Sequence, residues 1–303
     1  MRNILVTLMC MLLSACMTTQ ALDLKKHPTS SSELVEVPFY PQEAFHCGPS
    51  TLAMVMSYWG LPLTPDELAP DLYLPGREGS LTAEMVSQSR QRGFVPQQLK
   101  PTLAAITQAL DEGTPVIVRQ NNGLSWYPLW HYAVVIGVDA ERGHFILRSG
   151  PTERLSISYS VFDRTWARAD RWAIRLLPVA SDWPDSVVAN DVLQILLDMR
   201  RVNPEAAQTG LAQAIKRWPD QPVLWLAQAE LVAEQQHAEA GEQVLRDGLV
   251  ALPDQPFLLN NLAYSLLERG QPQQALPLSQ RAVELSDHPA IANTLAKIQQ
   301  ALP

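Results

Sequence analysis

The tetrapeptide Pro-Asp-Gln-Pro occurs twice in this chain, inside two matching stretches: RWPDQPVLWLAQAEL over 217–231 and ALPDQPFLLNNLAYS over 251–265. The corresponding prolines lie 256 − 222 = 34 residues apart, and a third phase, His288-Pro289-Ala-Ile-Ala-Asn-Thr-Leu, starts 33 residues later. A fixed period of this length marks a chain assembled from stacked supersecondary units, none of which buries its apolar face alone. Counted from Pro222, small residues fall at Ala229, Gly241 and Gly248, with Pro253 near the end; the next copy gives Ala263, Ala275 and Ala282. Small side chains let two helices approach, and a late proline breaks the second. One period earlier Ala207, Ala214 and Pro219 keep the phases, although Ile195 replaces the expected small residue.

The pattern resembles the tetratricopeptide repeat, which implies an all-α solenoid over 188–303, closed by a terminal helix from Ala290 to Ala301. An unrelated helical bundle is the alternative. The resemblance implies a concave groove for a peptide or protein partner. Val179-Ala-Ser-Asp-Trp-Pro-Asp185 opens a segment, 179–187, that reads as a linker into this region.

The preceding 34–178 segment is mixed. Leu34 to Phe39 reads as a strand, and Pro49 to Trp59, Thr82 to Arg92 and Leu103 to Glu112 read as helices. Val116 to Arg119, His131 to Val138, His144 to Leu147 and Trp172 to Leu177 are short runs rich in β-branched residues, set apart by Gly, Asp and Asn turn signals. Asp139 to Gly143 reads as a hairpin loop. Helices first and strands later predict an α+β domain with a largely antiparallel sheet.

Within this domain, QEAFHCGPSTLAMVMSYWG (42–60) places Cys47 at the start of an amphipathic helix. Pro49 suits a first helical turn, where its missing N–H has no intrahelical partner to lose. Free N–H groups and aligned peptide dipoles there favour a thiolate, so the expected pKa of Cys47 is lowered. The thiolate needs a proton shuttle. Of six histidines, His27 lies in an N-terminal tether, His46 adjoins the cysteine, His144 follows a turn glycine, and His237 and His288 lie in the repeats. His131 alone heads a long apolar strand, after a loop (Asn121 to Trp130) rich in Gly, Asn and aromatics.

Gln42, Cys47-Gly-Pro five residues on, a helix, and then His131-Tyr-Ala-Val-Val-Ile-Gly opening a strand resemble the C39 family of papain-like cysteine peptidases. The resemblance covers about 34–178. It implies that Cys47 is the nucleophile, His131 the general base and acid, and Gln42 the oxyanion donor, with the Cys47 backbone N–H as second donor. The family's usual third member is an aspartate on the strand after the histidine strand. Here that segment is Leu147-Arg-Ser-Gly-Pro151, so Ser149 stands about where the carboxylate belongs. Asp139 is the alternative, ranked lower because the hairpin puts it at the far end of the His131 strand. The expected activity is cleavage, or acyl transfer, of a peptide or isopeptide bond. The competing expectation is a noncatalytic lipid-anchored adaptor with a degenerate papain-like fold.

Met1-Arg-Asn precedes the apolar run Ile4 to Leu13 and then Leu13-Ser-Ala-Cys16. The run is too short to span a bilayer, for which about 20 apolar residues are needed, and its flanks are those of an export signal. The ending resembles a bacterial lipobox. It implies a signal peptide over 1–15, lipidation of Cys16 and a polar tether over 16–33. Met17, with no Asp after the cysteine, points to an outer-membrane lipoprotein facing the periplasm of a Gram-negative bacterium. Cys10 would leave with the signal, making Cys47 the sole free thiol. Cleavage removes only Arg2 from the charge count, so the formal −8 becomes 22 − 31 = −9. Without a basic stripe, nucleic acid is not an expected partner. No CxxC pair, HExxH run or GxxxxGK loop occurs, and neither a metal nor another cofactor is expected.

Overall fold

The computed structural model describes residues 31–42, 47–72 and 80–302. The expected signal peptide, the lipobox Cys16, most of the tether, His27 and His46 lie outside the described residues.

Among the described residues, seven strands form one sheet: β1 (Ser32–Glu33), β2 (Phe94–Gln98), β3 (Val116–Asn121), β4 (Trp130–Asp139), β5 (His144–Ser149), β6 (Thr152–Ser158) and β7 (Ala173–Pro178). Their order is β2-β7-β3-β4-β5-β6, with β1 also pairing with β4, and every pairing is antiparallel. Alternation along β4 sends side chains to two cores. Tyr132, Val134 and Ile136 join Leu52, Met54, Met56, Leu68 and Met85, whereas Ala133, Val135 and Val138 join Ile106, Leu110, Phe162 and Trp166. A bulge falls between Val135 and Gly137, where β1 crosses so closely that a Cβ on Gly137 would sit 2.6 Å from the Ser32 carbonyl oxygen.

Helices α1 (Cys47–Tyr58), α2 (Pro65–Leu72) and α3 (Thr82–Gln91) serve the first core, and α4 (Leu103–Asp111) and α5 (Tyr159–Ala167) the second. Every residue of α1 from Gly48 to Met56 is buried. It is a central helix covered all round, not the one-faced helix its apolar spacing predicts.

The expected strand over Leu34 to Phe39 is a correction: only Ser32–Glu33 pairs, and Val37 N–H turns back to the Leu34 carbonyl. The buried Arg148 guanidinium satisfies this segment, with Nε and an Nη donating to the Val37 carbonyl at 3.2 and 2.9 Å. A side chain does the work of a neighbouring strand. β2 escaped the sequence reading because it contains Pro96, which is tolerated here because β2 is an edge strand.

From Ala189 onward the described chain is helical: α6 (Ala189–Met199), α7 (Pro204–Arg217), α8 (Pro222–Gln235), α9 (Ala238–Ala251), α10 (Pro256–Glu268), α11 (Pro272–Leu285) and α12 (Pro289–Ala301). The repeated Pro222 and Pro256 each open a helix, as does Pro289. At Gly241 an added Cβ would meet the Ala229 carbonyl oxygen and the Ala233 Cβ, both at 2.7 Å, so α8 and α9 touch backbone to backbone there.

The segment expected as a linker, 179–187, is not a free one. Trp183 and Val187 are buried in a single apolar cluster that runs from Val95 and Leu177 on the sheet to Val192, Leu196 and Leu211 on the helices. The Trp183 indole N–H donates to the Pro178 carbonyl at 3.0 Å. Among the described residues, no helix is long and apolar enough to cross a membrane.

Candidate functional site

Cys47 is the first residue of α1, and the first turn is held by Thr51, whose hydroxyl reaches the carbonyls of Cys47 and Gly48, each at 2.9 Å. Gly48 is obligatory in this packing, since a Cβ there would lie 2.4 Å from Ser80 Oγ and 2.7 Å from Ser80 Cβ. The half-buried sulfur is approached by three main-chain N–H groups, those of Tyr132, Gly48 and Cys47 itself. They pull its pKa down, but burial outweighs them and pushes the thiol above the ordinary value for a cysteine. This corrects the expectation of a lowered pKa: desolvation of the charged form exceeds what the helix start returns.

The Tyr132 contact links the cysteine to the strand that carries His131. Tyr132 lies on β4 before the part that β5 covers, so both of its main-chain groups face an open edge. Its N–H favours the Cys47 thiolate, and its carbonyl accepts from Gln42 Nε2 at 3.3 Å. Gln42 Oε1 in turn accepts from Gly150 N–H at 3.1 Å, and Gln42 N–H donates to the Gly150 carbonyl at 3.2 Å. A donor on one side and an acceptor on the other fix the orientation of the amide. One N–H of the Gln42 amide is left over.

His131, second residue of β4, hydrogen-bonds through Nε2 to Ser149 Oγ at 2.8 Å, and burial pushes its pKa below the usual imidazole value. Among the described residues no thiol–imidazole hydrogen bond joins Cys47 to His131. The structure thus gathers Gln42, Cys47, His131 and Ser149 at one end of β4 and β5. Asp139 stands at the other end, where its Oδ1 accepts from Arg142 N–H at 3.1 Å in the hairpin.

The remaining described histidines serve local structure. His144 Nδ1 meets Ser156 Oγ at 2.8 Å, and His237 and His288 cap the starts of α9 and α12 through Nδ1. No group of three or more His, Cys, Asp or Glu side chains comes together among the described residues to offer a metal site.

Sequence reasoning missed Tyr132, Ser80 and Gly150. Tyr132 and Gly150 act through the main chain, which residue type does not disclose. Gly150 alone carried a signal: its φ of 58° lies in the left-handed region, which favours the Ser-Gly-Pro sequence found there.

Residues 34–173 match the model of the Peptidase_C39 like family. A crystal structure described as a C39-like peptidase from Bacillus anthracis aligns at 15% identity with a TM-score of 0.41, covering 49% of this chain and 98% of that one. No curated protein matches the chain.

Proposed function

We propose, from the premise that residues 34–173 form a C39-like domain, that the chain is a thiol-dependent peptidase or acyl transferase working through Cys47 and His131. The observation that carries this reading is the Tyr132 main chain, whose N–H favours the Cys47 thiolate and whose carbonyl accepts from the Gln42 amide, one residue from His131.

With Nε2 engaged by Ser149, the Nδ1 lone pair of a neutral imidazole is the base. It takes the Cys47 proton as the sulfur attacks the carbonyl carbon of a peptide or isopeptide bond. The spare Gln42 N–H and the Cys47 main-chain N–H receive the oxyanion; removing one such donor typically lowers the rate by about 10²–10³-fold. Collapse of the intermediate expels the amine, which takes the proton from the imidazolium and leaves a thioester on Cys47. Water completes hydrolysis; an acceptor amine completes transfer. The resting pair is neutral, and ionisation belongs to the reaction rather than to the free protein.

In the same reading, the helices after Ala189 are tetratricopeptide-type repeats that hold the protein substrate or a partner. Cys16 carries the lipid that places the domain on the periplasmic side of the outer membrane. The second reading, a noncatalytic adaptor, is favoured by the raised thiol pKa and by Ser149 in place of a carboxylate.

Incubating the protein with an iodoacetamide probe separates the two. The enzymatic reading expects labelling that is lost in Cys47→Ala. Equal labelling of both proteins favours the adaptor.

A further inference from the structure

Between β3 and β4 the chain makes a small hairpin that displays apolar side chains to solvent. Leu124 and Tyr127 pair through two main-chain hydrogen bonds of 3.0 and 3.2 Å, and Asn122 N–H donates to the Leu129 carbonyl at 2.9 Å. Asn121, itself buried, ties the hairpin from below: its Oδ1 accepts from Gly123 N–H and Leu129 N–H at 2.9 Å each, and its Nδ2 donates to the Leu124 carbonyl at 3.3 Å. Arg168 clamps the Asn121 carbonyl at 2.8 and 3.2 Å. On this stiff frame Trp126 is 80% exposed, Tyr127 66%, and Leu124 and Leu129 55% each. A large apolar cluster held out on a hydrogen-bonded hairpin signals a partner.

We infer that this hairpin is a membrane-interfacial wedge, whose Leu124, Trp126, Tyr127 and Leu129 side chains enter the headgroup and upper acyl region of a lipid bilayer. The wedge's composition is that of interfacial segments, with Trp and Tyr joining an apolar body to a polar tip beside Leu. The hairpin's own stretch carries no opposing charge: no acidic residue occurs between Glu112 and Asp139, in a chain whose formal charge is −8, and the nearby Asp170 carboxylate is paired with Arg119 at 3.2 Å. The reach of the chain allows it. β1 pairs with Val138, eight residues along β4 from Trp130, or about 27 Å. The 31 − 16 = 15 residues from Cys16 to Ser31 extend to about 50 Å. A lipid on Cys16 and the hairpin can therefore occupy one bilayer, although the wedge needs no lipid of its own. Docking this way brings the His131 end of β4 to the membrane surface.

The test uses the full chain with Cys10, Cys16 and Cys47 changed to Ser and an environment-sensitive fluorophore on Ser125→Cys or, as control, on Gln243→Cys of α9. With vesicles of phosphatidylethanolamine and phosphatidylglycerol, the probe at 125 shifts to the blue and is quenched by brominated lipid, while the probe at 243 does neither. In unlabelled full chain with Cys16→Ser, the exposed-site double variant Trp126→Ser/Tyr127→Ser weakens vesicle affinity about tenfold or more. Vesicle-bound protein whose 125 probe keeps its solvent emission, or an unchanged affinity in the double variant, overturns the wedge. A blue shift produced by an added soluble protein and not by vesicles overturns it equally. Neither readout passes through Cys47 chemistry, so this result and that of the labelling experiment stand apart.

Discussion

His131 Nε2 and Ser149 Oγ lie 2.8 Å apart, so the imidazole is oriented by a hydroxyl and not by a charge. Ser149→Asp is expected to raise the His131 pKa from its burial-depressed value and to raise kcat/KM, because a carboxylate stabilises imidazolium. Ser149→Ala removes the hydrogen bond and is expected to lower kcat/KM about tenfold. An NMR titration of the ring beside peptide-cleavage kinetics reads both effects. A His131 pKa that is the same in all three proteins contradicts the role given to Ser149.

Burial raises the thiol and lowers the imidazole, so at neutral pH both groups are uncharged. Below the His131 pKa, itself under the usual 6.5, the ring holds a proton and cannot accept one from sulfur, so kcat/KM falls on the acid side. Alkylation of free Cys47 is expected to keep rising with pH through and beyond 9.0, the ordinary thiol value, with no plateau below neutrality. A plateau in mild acid would reveal a preformed thiolate–imidazolium pair and contradict the neutral one.

Gly48→Ala forces a Cβ against Ser80, with contacts of 2.4 and 2.7 Å. Thermal or urea unfolding is expected to show a loss of about 1–3 kcal/mol, with cleavage impaired if Cys47, the residue before Gly48, is the nucleophile as proposed. Adding Ser80→Gly removes both contacting atoms and is expected to return much of the stability. No recovery would place the strain elsewhere.

Arg175 is buried where the sheet meets the helices, donating to Gln97 Oε1 at 2.8 Å, Glu112 Oε2 at 2.5 Å and Ser186 Oγ at 2.8 Å. Arg175→Ala leaves those acceptors unmatched and is expected to destabilise the protein by about 3–5 kcal/mol. Glu112→Gln in the same chain is expected to recover part of the loss. Calorimetry of the three proteins measures the difference.

Much of this was legible in the sequence where residue type and geometry coincide. The 34-residue spacing of Pro222 and Pro256 announced repeated helical units, each proline opening a helix, and Gly241 announced close packing because a Cβ there has no room. Cys47-Gly-Pro and His131 gave the site its outline. What stayed hidden depends on the main chain or on distant partners. The Tyr132 N–H and carbonyl are free only because β5 stops short, and the segment after Glu33 is no strand because Arg148 satisfies its carbonyls from afar. The raised thiol pKa was also beyond reach, since it depends on how deeply α1 is covered, and apolar spacing understated that.

The central claim is that Cys47 attacks a carbonyl with His131 as its base. Mass spectrometry of the protein incubated with a peptide aldehyde tests it most directly. The account predicts a thiohemiacetal at Cys47 in the native protein, lost in Cys47→Ala and strongly diminished in His131→Ala. No adduct on the native protein, or an adduct formed equally without His131, would contradict it.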